Sequence, residues 1–236
     1  MTQCCIVGAG PAGAVLALLL ARQGVAVTLL EAHLDLERDF RGDTVHPSTL
    51  ELMESLGLVD RLLAIPHIKI SDMPMHTRAG TVTFGGYPRT RLIKSRYPNA
   101  MLLPQARFLE LLTSEARRYP SFRMVMGARV ESLIEDAGFT RGVRYRSQTD
   151  GCLHEIPADL TVAADGRFSK IRQLVGFKRV GVAQPIDCLW FRLPHFPTDA
   201  PDVAGVYLAR GRVIVVFDRG PEWQASYWLP KGGYGV

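Results

Sequence analysis

Near its start the chain reads Cys4-Cys5-Ile6-Val7-Gly8-Ala9-Gly10-Pro11-Ala12-Gly13, and this stretch decides the fold. Its leading apolar residues are typical of a buried parallel strand. A glycine turn follows, then strong helix formers from Ala14 to Gln23, and then a second apolar run, Val25–Leu30, that ends at Glu31. Strand, turn, helix and strand in this order predict a βαβ unit and an α/β fold.

The turn glycines have the spacing of a dinucleotide-binding loop, G-x-G-x-x-G, between a strand and a helix as that motif requires. The first glycine permits a tight turn, the second lets the backbone approach a pyrophosphate, and the third lets the helix pack closely. The helix N-terminus attracts phosphate groups, and a proline at its first position has no N–H to leave unpaired. The predicted site comprises Gly8, Gly10, Pro11, Ala12 and Gly13. The alternative is that these glycines serve only turns and packing.

Glu31, followed by Ala32, stands at the end of the second strand, where a nucleotide ribose is expected. Its carboxylate can accept hydrogen bonds from ribose hydroxyls and would repel a 2′-phosphate. The sequence therefore predicts that FAD or NAD, rather than NADP, is bound at this loop.

A second motif lies in Asp159–Arg172, an apolar strand that runs into an Asp-Gly turn and a helix. Asp165 can accept a hydrogen bond from a ribityl or ribose hydroxyl, and Gly166 allows close backbone approach. The same residues are also compatible with an ordinary turn and helix cap.

Composition describes an ordinary globular protein of 236 residues, with 47% hydrophobic and 22% charged residues. The four cysteines show no zinc-like or disulfide-framework spacing, so reduced thiols in a cytoplasmic protein and no metal site are expected. The net charge of +5 is spread along the chain, which argues against a nucleic-acid partner. Its densest basic stretch, Arg78 to Arg96, is either a solvated hairpin or an attractor of an anionic ligand. No transmembrane segment is expected, although a peripheral membrane contact stays open.

Further along the chain, helices are predicted at Pro47–Leu56, Gln105–Tyr119 and Phe168–Val175, a hairpin at 67–85, and several short strands over 122–157. A buried strand is predicted at Leu160–Ala164. Aromatic-rich strands follow at Cys188–Leu193, Val213–Phe217 and Trp223–Leu229. In the last, Trp223, Ala225 and Tyr227 share one face and Gln224, Ser226 and Trp228 the other, and either face could line a ligand cavity.

The two nucleotide motifs together resemble those of the class A FAD-dependent monooxygenases, the flavoprotein aromatic hydroxylases. The resemblance implies a Rossmann-like FAD-binding domain of the glutathione-reductase type at residues 1–180, with 67–100 contributing to the substrate side. Residues 181–236 would begin a β-sheet-rich substrate domain that is incomplete at the C-terminus. The family's third signature, a Gly-Asp-Ala-Ala-His-like loop, does not occur here, so a fragment of a longer hydroxylase is expected rather than a short form.

The resemblance also implies roles for residues outside the two motifs. Arg41 would lie near the flavin chain, Gln105 would bond the ribityl chain, and Val130 would contact adenine through its backbone. The alternatives are a surface ion pair for Arg41 and a polar helix start for Gln105. His46 is interpreted as a helix-start residue rather than an acid–base group, and no catalytic residue is assigned.

The implied activity is hydroxylation of an aromatic or conjugated small molecule through a flavin hydroperoxide. FAD would be bound, NADPH or NADH would be a transient co-substrate, and O₂ would supply the oxygen atom. The rival hypotheses are another flavoprotein oxidoreductase, of the halogenase or prenyl-reductase type, and a truncated FAD-binding module without activity. The oligomeric state is left open.

Overall fold

The computed structural model describes residues 2–37, 42–83, 95–178, 180–181, 184–199 and 204–234. Within these ranges the chain forms two compact units. The first comprises Met1–Arg38 and Ala106–Val180, and the second comprises Asp39–Gln105 and Gly181–Val236. The assignment of residues 1–180 and 181–236 to an FAD-binding and a substrate domain stays a prediction.

In chain order, the elements are β1 (Thr2–Val7), α1 (Pro11–Arg22), β2 (Val27–Leu30), β3 (Thr44–Val45), α2 (Pro47–Ser55), α3 (Val59–Leu63), β4 (Ile68–Ile70), β5 (Met75–Thr77), β6 (Gly80–Val82), β7 (Ala100–Leu102), α4 (Gln105–Ala116), β8 (Phe122–Val125), β9 (Ala128–Asp136), β10 (Phe139–Ser147), β11 (Leu153–Ala163), α5 (Lys170–Leu174), β12 (Ile186–Pro194), β13 (Ala204–Ala209), β14 (Arg212–Asp218) and β15 (Glu222–Pro230).

The first unit is built on a six-stranded sheet in the order β8-β2-β1-β11-β10-β9. β1 pairs in parallel with both β2 and β11, and β2 pairs in parallel with β8. All four residues of β2 and the last four of β1 are buried, as expected for strands covered on both faces. One core layer joins α1 to this sheet, with Ala17 against Ile6 and Leu29. The predicted βαβ unit and α/β class are confirmed.

The long strands β9, β10 and β11 are antiparallel and extend the same sheet on its other side. Their turns use left-handed backbone at Ala137, Gly138 and Gly151. The strand predicted over Leu160–Ala164 forms the end of β11, which stops at Ala163. Its predicted burial is wrong, because none of these five residues is buried: Leu160 is 58% exposed, and Val162 and Ala164 are only partly buried against the core layer of α1.

The second unit contains a six-stranded sheet, β12-β15-β14-β13-β5-β6, and a three-stranded sheet, β3-β7-β4. The strands predicted at Cys188–Leu193, Val213–Phe217 and Trp223–Leu229 are confirmed as β12, β14 and β15. The hairpin predicted over 67–85 is only partly correct. β5 and β6 form it, whereas β4 pairs with β7, whose three residues are all buried and offer a better apolar partner.

The predicted helices are found with shorter ends, as α2, α4 and α5. No helix in the described ranges is long and apolar enough to cross a bilayer. In the same ranges no group of three or more His, Cys, Asp or Glu side chains could hold a metal ion. Arg41, Arg89, Arg91 and Lys94 lie outside the described residues.

The four cysteines are free thiols, with Cys4 and Cys5 buried in β1 and Cys152 and Cys188 exposed. Burial, and then the neighbouring Cys4, raise the pKa of the Cys5 thiol to about 12. Burial also raises the pKa of Cys4. The thiolate is the reactive form, so burial and the raised pKa of both thiols in β1 disfavour their reaction at neutral pH.

We therefore expect iodoacetamide at neutral pH to alkylate Cys152 rapidly in the native chain. Cys5 should react only after unfolding in denaturant. Peptide mass spectrometry over a time course measures both rates, and equal rates for Cys5 and Cys152 in the native chain would contradict the buried position of β1.

Candidate functional site

The glycine turn after β1 is shaped by close contacts that only glycine permits. Gly8 has φ +104°, and a Cβ there would lie 2.4 Å from the Ala164 carbonyl oxygen. A Cβ at Gly13 would lie 1.9 Å from the Gly8 carbonyl oxygen. Both glycines are therefore needed to bring the loop and α1 against the end of β11, as the motif predicts.

Gly10 differs from the other two, because a Cβ there would meet no protein atom within 4 Å. Its backbone is ordinary, with φ −67° and ψ 177°, and it immediately precedes α1. No side chain caps this end of α1, whose first helical residue is Pro11. The N-terminus of this 12-residue helix therefore presents backbone N–H groups and the positive end of the helix dipole beside an open space.

Glu31 is buried, 5% exposed, and its carboxylate ties the end of β2 to the glycine turn. Oε2 accepts the Ala9 N–H at 3.0 Å. Oε1 accepts the His33 N–H at 3.0 Å and lies 2.7 Å from His33 Nδ1. Each carboxylate oxygen can accept more than one hydrogen bond, so the positioned group can still receive a ribose hydroxyl.

Asp165 and Gly166 form the turn between β11 and α5. Asp165 Oδ2 accepts the Ile171 N–H at 3.1 Å, and Gly166 adopts φ +78°. Ser169 caps α5 by accepting the Arg172 N–H at 3.0 Å. Asp165 Oδ1 is buried and has no hydrogen-bond partner in the described part of the chain. An unpaired buried acceptor costs about 1–3 kcal/mol, so this atom fits a ligand hydroxyl.

These elements surround a cavity of about 350 Å³. Val130 reaches it because β9 begins beside the end of β2, where the Ala128 N–H donates to the Glu31 carbonyl at 2.7 Å. The predicted site residues that line the cavity are Gly8, Gly10, Glu31, Ala32, Val130, Asp165 and Gly166. Pro11, Ala12 and Gly13 follow in the first turn of α1. Their roles in binding stay predictions.

Among the residues of the cavity wall that were not predicted, three have nitrogen-bearing side chains: His33, Arg129 and Lys170. Two of them are cationic and suit a phosphate-bearing ligand. Lys170 directly follows the cap of α5, so its place in the second motif was a usable signal. His33 lies two residues after Glu31 and contacts its carboxylate, so its position was also a usable signal. Arg129 carried none, because its approach to the cavity depends on how β9 sits beside β2.

The remaining predicted residues do not line this cavity: they lie in the second unit or outside the residues that the structure describes. Gln105 begins α4; its backbone N–H donates to Asp43 Oδ1 at 3.0 Å, and its Nε2 donates to the Gly42 carbonyl at 3.1 Å. Arg41 lies outside the described residues. His46 immediately precedes α2 with extended backbone, which matches its interpretation as a helix-start residue.

The first unit has the features of a dinucleotide-binding protein. It combines a parallel sheet with a glycine turn that leads into a helix, and a buried glutamate and an Asp-Gly turn lie around the same cavity. The chain belongs to the family described as "FAD binding domain", which matches residues 1–209. FAD is therefore the cofactor of this fold. Asp165 Oδ1, the open space at Gly10 and the Glu31 carboxylate fit its ribose and phosphate groups.

Curated relatives are monooxygenases. The chain is 32% identical to 6-methylpretetramide 4-monooxygenase of Streptomyces rimosus, over 99% of the chain and 54% of that protein. It is 26% identical to squalene monooxygenase of Mus musculus, over 90% of the chain and 36% of that protein. Among solved structures, p-nitrophenol 4-monooxygenase of Pseudomonas putida matches with a TM-score of 0.80 at 19% identity, over 98% of this chain and 58% of that one. The chain thus spans about half the length of the first of these relatives and about a third of the second.

Proposed function

We propose that this chain forms the FAD-binding and substrate-sheet part of a monooxygenase that hydroxylates an aromatic or conjugated small molecule. In the balanced reaction, substrate, O₂, NAD(P)H and a proton give hydroxylated substrate, water and NAD(P)⁺. FAD, held by the glycine turn, Glu31 and the Asp165–Gly166 turn, would supply the redox chemistry. The protein supplies binding, orientation and exclusion of water.

The observation that carries this proposal is the extent of the similarity. A nucleotide-binding module alone would resemble its relatives over the first unit only. The 32% identity to a 4-monooxygenase instead runs over 99% of the chain, including the aromatic-rich sheet of the second unit. This argues for a protein that binds both a flavin and a substrate.

Within the first unit, we infer that the cavity binds the ADP half of FAD. The N-terminus of α1 would take the pyrophosphate, since the second motif glycine leaves space for it there. Glu31 would accept the ribose hydroxyls and disfavour a 2′-phosphate. Arg41 and Gln105 would contact the rest of the flavin, by resemblance to the family.

On the substrate side, we infer that the face of β15 carrying Gln224, Ser226 and Trp228 lines the substrate cavity. Phe217 is the cross-strand partner of Gln224 and packs against the buried residues of β4 and β7. This face is thereby turned toward the three-stranded sheet, which is followed by Gln105. Trp228 is part-exposed on it and donates to the buried Ser226 Oγ at 2.7 Å, so its aromatic ring is the group that this face offers to a substrate.

The test is turnover under ¹⁸O₂. The protein is supplied with FAD, NADH or NADPH and a panel of phenols and larger conjugated ring systems, both as these 236 residues and in the full reading frame of its gene. We expect substrate-stimulated oxidation of one nicotinamide and a product carrying one ¹⁸O atom. Nicotinamide oxidation that yields only peroxide with every member of the panel, or a halogenated product in the presence of halide, would overturn the proposal.

A further inference from the structure

The second unit contains a buried ion pair between Asp43 and Arg219 that lies outside the nucleotide cavity. The Asp43 carboxylate is 4% exposed and the Arg219 side chain 15% exposed, and Arg219 Nη1 donates to Asp43 Oδ2. The same Nη1 atom donates to Gln224 Oε1 at 2.9 Å. Asp43 lies 176 residues before Arg219, so the pair joins two distant parts of the chain.

On one side the pair reaches Gln105. The other oxygen of Asp43, Oδ1, accepts the Gln105 N–H at 3.0 Å, and the Asp43 carbonyl accepts the Leu103 N–H at 3.0 Å. The first N–H groups of a helix have no partner within the helix, so Asp43 serves as the acceptor for the first residue of α4. A Cβ on Gly42 would lie 2.7 Å from Gln105 Nε2, so the amide side chain is closely seated as well.

On the other side the pair is anchored in a well-defined turn between β14 and β15. The Arg219 N–H donates to the Glu222 carbonyl at 2.9 Å. The Gly220 N–H donates to Asp218 Oδ1 at 2.7 Å, and Gly220 adopts φ +84°. The turn therefore fixes the backbone from which the guanidinium reaches Asp43.

We propose that Arg219 is a positioning residue that acts through Asp43 on Gln105 and thereby on the affinity for FAD. The pairing cation keeps the buried carboxylate turned inward, with Oδ1 on the Gln105 N–H. Without it, the carboxylate is buried and unpaired, and it turns to water, which releases the first residue of α4. The inference rests on the proposed function only in assigning Gln105 to the flavin. Arg219 also holds Gln224 on the proposed substrate face, so it joins that face to Gln105 within the second unit.

The test compares Arg219→Met, which removes the donors but keeps the stem, with Arg219→Lys, which keeps a charge. Arg212→Met is the matched control, since Arg212 is exposed at the far end of β14. Two readouts are taken on the 236-residue chain: hydrogen exchange at the Gln105 amide without flavin, and the Kd for FAD by fluorescence titration. Circular dichroism and the midpoint of thermal unfolding show whether each variant is folded.

We expect Arg219→Met to speed exchange at Gln105 by about tenfold or more and to raise the Kd for FAD by about 10- to 100-fold. Arg219→Lys should recover most of the protection from exchange at Gln105 and most of the FAD affinity. Arg212→Met should change the exchange rate and the Kd by less than about twofold. The double variant Asp43→Asn/Arg219→Met should also regain part of the exchange protection and part of the FAD affinity, because a neutral amide keeps the Oδ1 acceptor without a buried charge.

Each outcome decides a separate claim. Unchanged exchange at Gln105 in Arg219→Met overturns the inference, as does faster exchange with an unchanged Kd for FAD. If Arg219→Met is unfolded, absence of recovery in both Arg219→Lys and the double variant overturns it. A wild-type chain that binds no FAD refutes the proposed function. Faster exchange at Gln105 in Arg219→Met would then still support the action of the pair on Gln105.

Discussion

Gly10→Val is expected to leave the chain folded and to lower its affinity for FAD by about a hundredfold or more. A Cβ added at this position has no protein atom within 4 Å, and φ −67° suits any residue. The added side chain would instead occupy the space beside the N-terminus of α1 that the pyrophosphate needs. Fluorescence titration gives the affinity, and thermal unfolding without FAD gives the stability.

Gly8→Val is the matched comparison, because its φ of +104° and its 2.4 Å approach to Ala164 make the substitution structural. It should lower the unfolding midpoint of the flavin-free chain, whereas Gly10→Val should not. If Gly10→Val bound FAD as tightly as the wild type, the pyrophosphate would not lie at this turn.

Glu31→Ala should produce the second large effect, a loss of both stability and FAD affinity. The substitution leaves the buried N–H of Ala9 without its acceptor at 3.0 Å, which costs about 1–3 kcal/mol. It also removes the carboxylate proposed to accept the ribose hydroxyls, so we expect the Kd for FAD to rise by about 10- to 100-fold. Denaturant unfolding and flavin titration measure the two losses separately.

Two control variants test the source of the stability loss expected in Glu31→Ala. Glu31→Gln keeps an acceptor oxygen for the loop and should lose less stability than Glu31→Ala. His33→Ala removes an imidazole that is 65% exposed and should be close to wild type in stability. A Glu31→Ala chain with unchanged FAD affinity would remove this residue from the nucleotide site.

The nucleotide-binding part of the site could be predicted because the contacts that shape it join residues close together in the sequence. The glycine turn, α1 and Glu31 lie within one βαβ unit, and the spacing of Gly8, Gly10 and Gly13 reflects contacts among the turn, the helix and the adjoining strand. The Asp165–Gly166 turn is equally local, since its hydrogen bonds reach no further than Ile171.

The features that could not be predicted from the sequence depend on contacts between residues that lie far apart along the chain. Arg129 reaches the cavity because β9 begins beside the end of β2, and β4 pairs with β7 through Ile68 and Leu102. The Asp43–Arg219 pair spans 176 residues, and no local pattern indicates it. The strand β13 was also missed, because its residues Ala204–Ala209 include few of the β-branched and aromatic types that mark strands.

The most direct test of the nucleotide site is equilibrium binding of FAD to the purified 236-residue chain, with ADP and 2′-phospho-ADP as competitors. We expect one FAD per chain, displaced by ADP, with much weaker competition from the 2′-phosphorylated analogue because of Glu31. Binding that Gly10→Val leaves intact, equal competition by both analogues, or no binding at all would contradict it.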